Sequence, residues 1–422
     1  MHIVASTKRF INNNFHALTH KNYRYFWLGQ CVSLIGTWTQ NIGQSWLVLS
    51  ITDSAFLLGL VGTLQFLPVT FFSLFAGVIT DKFPKKKILI FTQTISMLLA
   101  FILSGLVFTH TVKYEYILVL ALCLGFCNTL DMPTRQAFNM EIVGKEDLMN
   151  AIALNSATFN LARIIGPAIG AMLMGYLGAG WCFLLNGFSF MAVIYGLVHI
   201  EAIAYVRMKS SEKGILKEIM DGLKYIKKNP VLLETLILVS IMGIFVFNYS
   251  VLIPVFTKNV LHMDAKTYGI LLSALGAGSL IGAVLVSLKS KGGPNRILMI
   301  GSSIAIGIML IVTGMSNLYY LTALSLAITG IFNMFFSTTA NSTLQLNSKD
   351  EYRGRVMSVY SLVFAGFTPI GSLFSGFVAE KYGARVCFIL SGIFTIVLIL
   401  LLMTWVKLRR KDTNIRKWPV FF

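Results

Sequence analysis

The chain has 422 residues, of which 56% are hydrophobic and only 12% charged, yet it carries a formal charge of +18 from 35 basic and 17 acidic side chains. The charged share is about half that of a soluble globular protein. This excludes a disordered chain, a soluble multidomain enzyme and a nucleic-acid binder, and leaves a polytopic membrane protein with its charges gathered in loops.

A spanning helix needs about 20 predominantly apolar residues. Twelve stretches qualify: 23–50, 55–80, 88–109, 116–138, 150–177, 181–204, 231–257, 267–288, 296–315, 319–345, 355–379 and 383–406. The expected fold is all-α with twelve transmembrane helices. Residues 1–22 carry Lys8, Arg9 and Lys21 and read as a polar N-terminal segment rather than a cleavable leader. With both termini placed in the cytoplasm, the inner segments hold 28 Lys and Arg and the outer loops 5. That asymmetry predicts a multi-pass protein of the cell membrane with both termini inside.

Along span 1, Gln30, Ser33, Thr37, Asn41 and Gln44 recur at steps of three or four and form one polar helical face. Lipid does not satisfy amides, so this face is expected to line water, substrate or an interhelical seam. Trp38, Gln65, Asn128, Tyr249, Asn333, Asn248 and Asn341 extend the candidate substrate path. Aromatic rings beside a few amides suit a bulky amphipathic molecule. Asp53, before span 2, is expected to cap that helix.

Ionisable residues within spans are costly and mark function. Asp131 and Arg135 stand at i and i+4 in span 4 and are able to pair on one face. Arg163 lies deep in span 5. Glu234 falls one turn into span 7 and reads as interfacial. Two roles stay open for Asp131. It is either a proton carrier that pairs alternately with Arg135 or Arg163, or part of a gate that pairs with Lys85–Lys87. Arg163 is expected to serve as partner, packing group or anion site.

The five cysteines, Cys31, Cys123, Cys127, Cys182 and Cys387, all fall in apolar stretches and read as packing residues, with no metal site and no cofactor expected. No nucleotide loop is present, so neither nucleotide nor nucleic acid is an expected partner.

The loop 205–230 divides the chain. It joins an expected N-terminal six-helix bundle, 23–204, to a C-terminal one, 231–406, ahead of a basic tail, 407–422. It holds an amphipathic stretch from Glu212 to Lys228 ending at Asn229-Pro230. The halves resemble one another: Cys182 to Phe190 reads CFLLNGFSF and Cys387 to Thr395 reads CFILSGIFT, while Gly166-Pro167-Ala168-Ile169-Gly170 in span 5 matches Thr368-Pro369-Ile370-Gly371 in span 11. Repeated halves are typical of secondary transporters.

Between spans 2 and 3 runs Gly77-Val78-Ile79-Thr80-Asp81-Lys82-Phe83-Pro84-Lys85-Lys86-Lys87. This resembles the loop signature of the major facilitator superfamily, with Lys82 in place of Arg and Pro84 in place of a second Gly. Gly166-Pro167-x-x-Gly170 resembles the antiporter signature. With Pro133 to Phe138, Asn150-Ala151 and Asn160 to Pro167, the chain is similar to the branch of enterobactin exporters and macrolide efflux proteins. The resemblance implies two pseudo-symmetric six-helix bundles that open alternately, and no enzymatic activity. Gly77, Asp81, Lys82, Lys85, Lys86 and Lys87 become the gate loop. The implied activity is proton-coupled efflux of a bulky amphipathic small molecule, a drug, macrolide or siderophore; the alternative is a lipid flippase or an uncoupled facilitator of the same fold.

Overall fold

The structure, a computed structural model, describes residues 15–200, 215–289 and 293–412. Most of the polar N-terminal segment, the first half of the central linker including Glu212, and the end of the basic tail lie outside the described residues.

Every described element is helical. After a single 3-10 turn, His16–Thr19, come α1 (Lys21–Thr52), α2 (Ala55–Lys82), α3 (Lys85–Phe108), α4 (Tyr114–Tyr176), α5 (Ala179–His199), α6 (Ile215–Lys228), α7 (Pro230–Phe245), α8 (Tyr249–Asn259), α9 (Ala265–Lys289), α10 (Arg296–Met315), α11 (Tyr319–Leu346) and α12 (Asp350–Asp412). The protein is an all-α polytopic membrane protein. Ten of the described helical stretches are long and apolar enough to cross a bilayer. The polar helix α1 stands outside that set, and α12 counts once in it.

Two helices are each long enough for two passes. α4 is interrupted at Gly144 (φ 72°) and α12 at Gly383 (φ 87°). Both residues sit in the left-handed region, where a Cβ is unfavourable, so each glycine turns the chain between two helical limbs. With these breaks, and with α7 and α8 taken as one interrupted pass, the helices match the twelve expected stretches. The α7–α8 interruption covers Val246–Asn248, where the ladder gives way to short turns such as Asn248 N to Val246 O at 2.8 Å.

The helices group into two compact units. One contains residues up to 47 and 71–210; the other contains 48–70 and 211 onward. α2 therefore contributes its first half to the second unit and its second half to the first.

In the first unit, α3 packs on α4 and α5. Phe26, Leu89, Phe138, Val193, Leu197 and Ile200 bring α1, α3, α4 and α5 into one buried cluster. Tyr23 on α1 donates to Ala151 O at 3.1 Å, and Asn150 Oδ1 accepts from Ala17 N at 3.1 Å. The Asn150-Ala151 pair thus pins the start of α1 to the second limb of α4.

In the second unit, α9 packs on α11, and α10 on α11 and α12. The linker helix α6 docks here. Its Ile226 joins Leu232, Leu236, Leu344, Val356 and Val359. Tyr225 stacks on Tyr352 with ring centroids 4.4 Å apart, and its hydroxyl accepts from Lys349 N at 3.1 Å.

Candidate functional site

The centre of the first unit is a buried carboxylate. Asp131, 8% exposed, lies on α4 two residues before Pro133. Its Oδ1 accepts from Arg135 Nε at 2.7 Å and pairs with Arg135 Nη2 at 2.5 Å. Its Oδ2 accepts from Thr92 Oγ1 at 2.9 Å and from Gln93 Nε2 at 2.7 Å, both on α3. The i,i+4 spacing on one helix produces the ion pair. The α3 donors were not apparent from sequence, because nothing in the spacing of α3 marks which face meets α4. The Arg135 guanidinium lies 5.7 Å above the Phe26 ring.

Among the described residues, two buried atoms around this carboxylate have no hydrogen-bond partner, Gln93 Oε1 and Arg135 Nη1. Gln30 Nε2 on α1 and Asn139 Oδ1, one turn beyond Arg135, share that condition.

Lys85 and Lys86, two of the lysines considered as gate partners of Asp131, bind other groups. Lys85, buried at the start of α3, contacts Glu141 Oε1 at 2.5 Å. Lys86 Nζ donates to Ile200 O at 2.8 Å and Val198 O at 3.2 Å, satisfying carbonyls at the end of α5. Lys87, Asp81 and Lys82 are exposed, and Gly77 has open space about it. Thr80 and Thr134 hydroxyls, 2.8 Å apart, tie this end of α2 to α4. Glu141 was the missed member. It lies ten residues beyond Asp131 on the same helix, outside any motif.

The Arg163 guanidinium lies 6.0 Å over the Trp38 ring, which meets Phe159 edge-on at 5.7 Å. The antiporter-type motif next to it is a close seam. A Cβ on Gly166 would come within 2.9 Å of Ile35 O, and Thr39 Oγ1 donates to Gly166 O at 3.0 Å. Gly170 meets Thr39 and Ile42 at ordinary contact, and Pro167 is buried. Of the α1 stripe, Gln30, Ser33 and Gln44 are buried while Thr37, Asn41 and Trp38 are half-buried. Thr37 donates to Ser33 O at 2.9 Å. Gln40, off the expected stripe, accepts from Asn186 Nδ2 at 2.7 Å. Asn128 on α4 and Gln65 on α2 are half-buried.

In the second unit, Asn333 Nδ2 donates to Tyr249 Oη at 3.0 Å, so two expected path residues meet. Asn248, at the α7–α8 break, donates to Ile244 O at 2.8 Å. Glu234, one turn into α7, is enclosed by the protein. It is 1% exposed and bound by Arg296 through Nε at 2.8 Å and Nη2 at 2.5 Å. Asp53 departs from expectation. It adopts φ 49° and pairs with Lys258 Nζ at 2.8 Å. Ser54 takes over as the cap, its Oγ accepting from Leu57 N at 3.2 Å. Glu380 Oε2 on α12 accepts from Ser54 Oγ at 3.0 Å, Ala55 N at 2.7 Å and Phe56 N at 3.3 Å. Among the described residues no group of three or more His, Cys, Asp or Glu is arranged to hold a metal.

Residues 12–419 match the family model of transmembrane secretion effectors. The chain belongs to this family of the major facilitator superfamily. It is 28% identical to the staphyloferrin A transporter of Staphylococcus aureus, over 93% of this chain and 98% of that protein. It is 25% identical to macrolide efflux protein A of Streptococcus pyogenes, over 92% and 96%. The enterobactin exporter of Escherichia coli is 23% identical over 93% and 94%. A crystal structure of the nucleoside transporter NupG aligns with TM-score 0.71 at 14% identity, covering 91% of this chain and 98% of that one. A bacterial homologue of the lysosomal transporter Spinster aligns with TM-score 0.71 at 12% identity, covering 94% and 99%. The fold is that of the superfamily, and the protein is a membrane transporter, not an enzyme.

Proposed function

We propose that this transporter exports a bulky amphipathic small molecule, of siderophore or macrolide kind, in exchange for protons. The observation that carries the proposal is Asp131, a carboxylate buried in a spanning helix, with Arg135 on one oxygen and two neutral donors on the other. Such a group is costly in a membrane protein unless it works. Protonation releases its hold on Arg135, and Arg135 is the only charged partner it has among these contacts. The relatives named for staphyloferrin A, macrolides and enterobactin support the substrate class.

In this reading the protein sits in the cell membrane with both termini cytoplasmic. The halves 23–204 and 231–406 act as the two bundles of an alternating-access cycle. Gly77, Asp81, Lys82 and Lys85–Lys87 form the cytoplasmic gate, with Lys85 latched on Glu141. Gln30, Thr37, Trp38, Asn41, Gln44, Gln65, Asn128, Tyr249 and Asn333 contribute to the path, and Gly166, Pro167 and Gly170 keep α1 close to α4. Arg163 beside Trp38 offers a cation and a ring to an anionic aromatic substrate. Glu234 with Arg296 is a second candidate for coupling.

The test is reconstitution into liposomes with an imposed pH gradient and a panel of macrolides and carboxylate or catecholate siderophores. Uphill movement of one of them is expected, and Asp131→Asn is expected to abolish the uphill component while leaving downhill exchange. Movement indifferent to the gradient, with Asp131→Asn as active as the parent, supports the uncoupled facilitator instead.

A further inference from the structure

Asp131 is bound asymmetrically. Arg135 engages only Oδ1, while Oδ2 faces α3 and meets two neutral side chains, Thr92 and Gln93. Each of these is able to act as donor or acceptor. Thr92 has one hydroxyl hydrogen and two acceptors in reach, Asp131 Oδ2 at 2.9 Å and Leu89 O at 3.1 Å. Gln93, only 4% exposed, donates through Nε2, and its buried Oε1 has no partner among the described residues. An unpaired buried acceptor carries a desolvation cost and calls for a reason.

We infer that Gln93, with Thr92, is the positioning residue that holds Asp131 in both protonation states, so that the proton resides on Oδ2. This rests on the reading of Asp131 as the proton carrier. In the anionic state Gln93 Nε2–H and Thr92 O–H donate to Oδ2. A proton arriving from water forms an O–H bond on Oδ2. The Gln93 amide then turns over to present Oε1 as acceptor, and the Thr92 hydroxyl directs its hydrogen to Leu89 O. Arg135 keeps its charge, so the pair changes from neutral to singly positive, and release of the proton reverses each step. The groups around the carboxylate fit this. On its own helix stand Arg135 and, one turn earlier, Cys127, which Ser96 of α3 meets; α3 contributes Thr92 and Gln93; α1 contributes Phe26 beneath Arg135. The Lys85–Glu141 pair lies more than two turns farther along α4.

The experiment is an infrared pH titration of the purified full-length protein, following the protonated carboxyl band that Asp131→Asn removes. Gln93→Met keeps the volume and deletes both functions of the amide. The lost bond to the anion is charge-assisted and outweighs the lost neutral bond to the acid, so the midpoint of the band should rise by about one pH unit, a tenfold change in proton affinity. Thr92→Val should shift it the same way, and Thr92→Ser should restore the parent midpoint. A merely structural role for these side chains would lower the yield of folded protein and leave the midpoint alone. An unchanged midpoint in Gln93→Met, or a band that does not titrate, overturns the inference. The coupling reading fails separately, if the midpoint shifts as described but Asp131→Asn still drives substrate uphill.

Discussion

At the scale of residues, the two buried carboxylates have different surroundings. Asp131 divides its oxygens between a cation and two neutral side chains, whereas Glu234, almost wholly enclosed, offers one oxygen to two nitrogens of Arg296. Removing one partner of an enclosed pair strands the other charge. Glu234→Ala is therefore expected to destabilise the protein by about 3–5 kcal/mol, while the double change Glu234→Met with Arg296→Met recovers much of that loss. Thermal unfolding in detergent of the parent and the two variants checks both statements. The Asp131–Arg135 pair was legible in sequence because its members are one turn apart. The Glu234–Arg296 pair was not: 62 residues separate its members, and Arg296 counts in sequence as one more basic residue at a loop end. A loop carboxylate gives a pH-dependent case. Asp264 before α9 lies below the usual carboxylate range, chiefly because Thr267 N–H donates to it, with the Thr267 hydroxyl and Lys266 assisting against a burial penalty. A depressed value means that the stabilisation is present above the unfolded value and fades as pH falls through the folded one. Asp264→Ala should thus cost up to about 1 kcal/mol at neutral pH, the exposed position limiting it, and the difference from the parent should shrink in acid.

At the scale of elements, the apolar runs marked every spanning helix, but their joints were written in backbone conformation rather than hydropathy. α4 continues through residues 139–149, expected as a loop, because only Gly144 departs from helical angles there. The α7–α8 interruption was hidden for the opposite reason: residues 231–257 form one unbroken apolar run, and the break at Val246–Asn248 is sustained by the Asn248 side chain bonding Ile244 O. Gly383 and Gly77 separate the two uses of glycine. Gly383 has open space but φ 87°, so Gly383→Ala should cost roughly 1–2 kcal/mol of strain. Gly77 also has open space, in ordinary helical geometry, so Gly77→Ala should leave the melting temperature unchanged or slightly raised. Equal losses in the two variants would refute the distinction.

At the scale of the molecule, the internal repeat has a structural counterpart. Cys182 and Cys387 are fully buried, and each thiol approaches a carbonyl twelve residues earlier, Gly170 O at 3.9 Å and Ser375 O at 3.6 Å. Gly178 and Gly383, each four residues before its cysteine, share a left-handed φ. The proline segments correspond as well. Thr39 donates to Gly166 O, and Thr63 donates to Pro369 O at 3.2 Å, so a threonine from an early helix binds each. The second of these contacts belongs to a seam within the second unit, between the first half of α2 and α12. There a Cβ on Gly59 would stand 3.1 Å from Gly376 Cα, and Glu380 covers the exposed N–H groups that open α2. The anion at a helix N-terminus is favoured by both the dipole and the free donors. In the proposed cycle, which parts the halves 23–204 and 231–406, this seam opens, because residues 48–70 come from the first half of the sequence. Joining Ser54→Cys to Glu380→Cys with a short, reducible bifunctional thiol reagent, in a background free of the five native cysteines, tests this. The linked protein should retain its unfolding temperature yet lose more than nine-tenths of its transport, and reductant should restore it. Full transport by the linked protein would mean that the seam stays closed throughout the cycle and that the substrate leaves by another route.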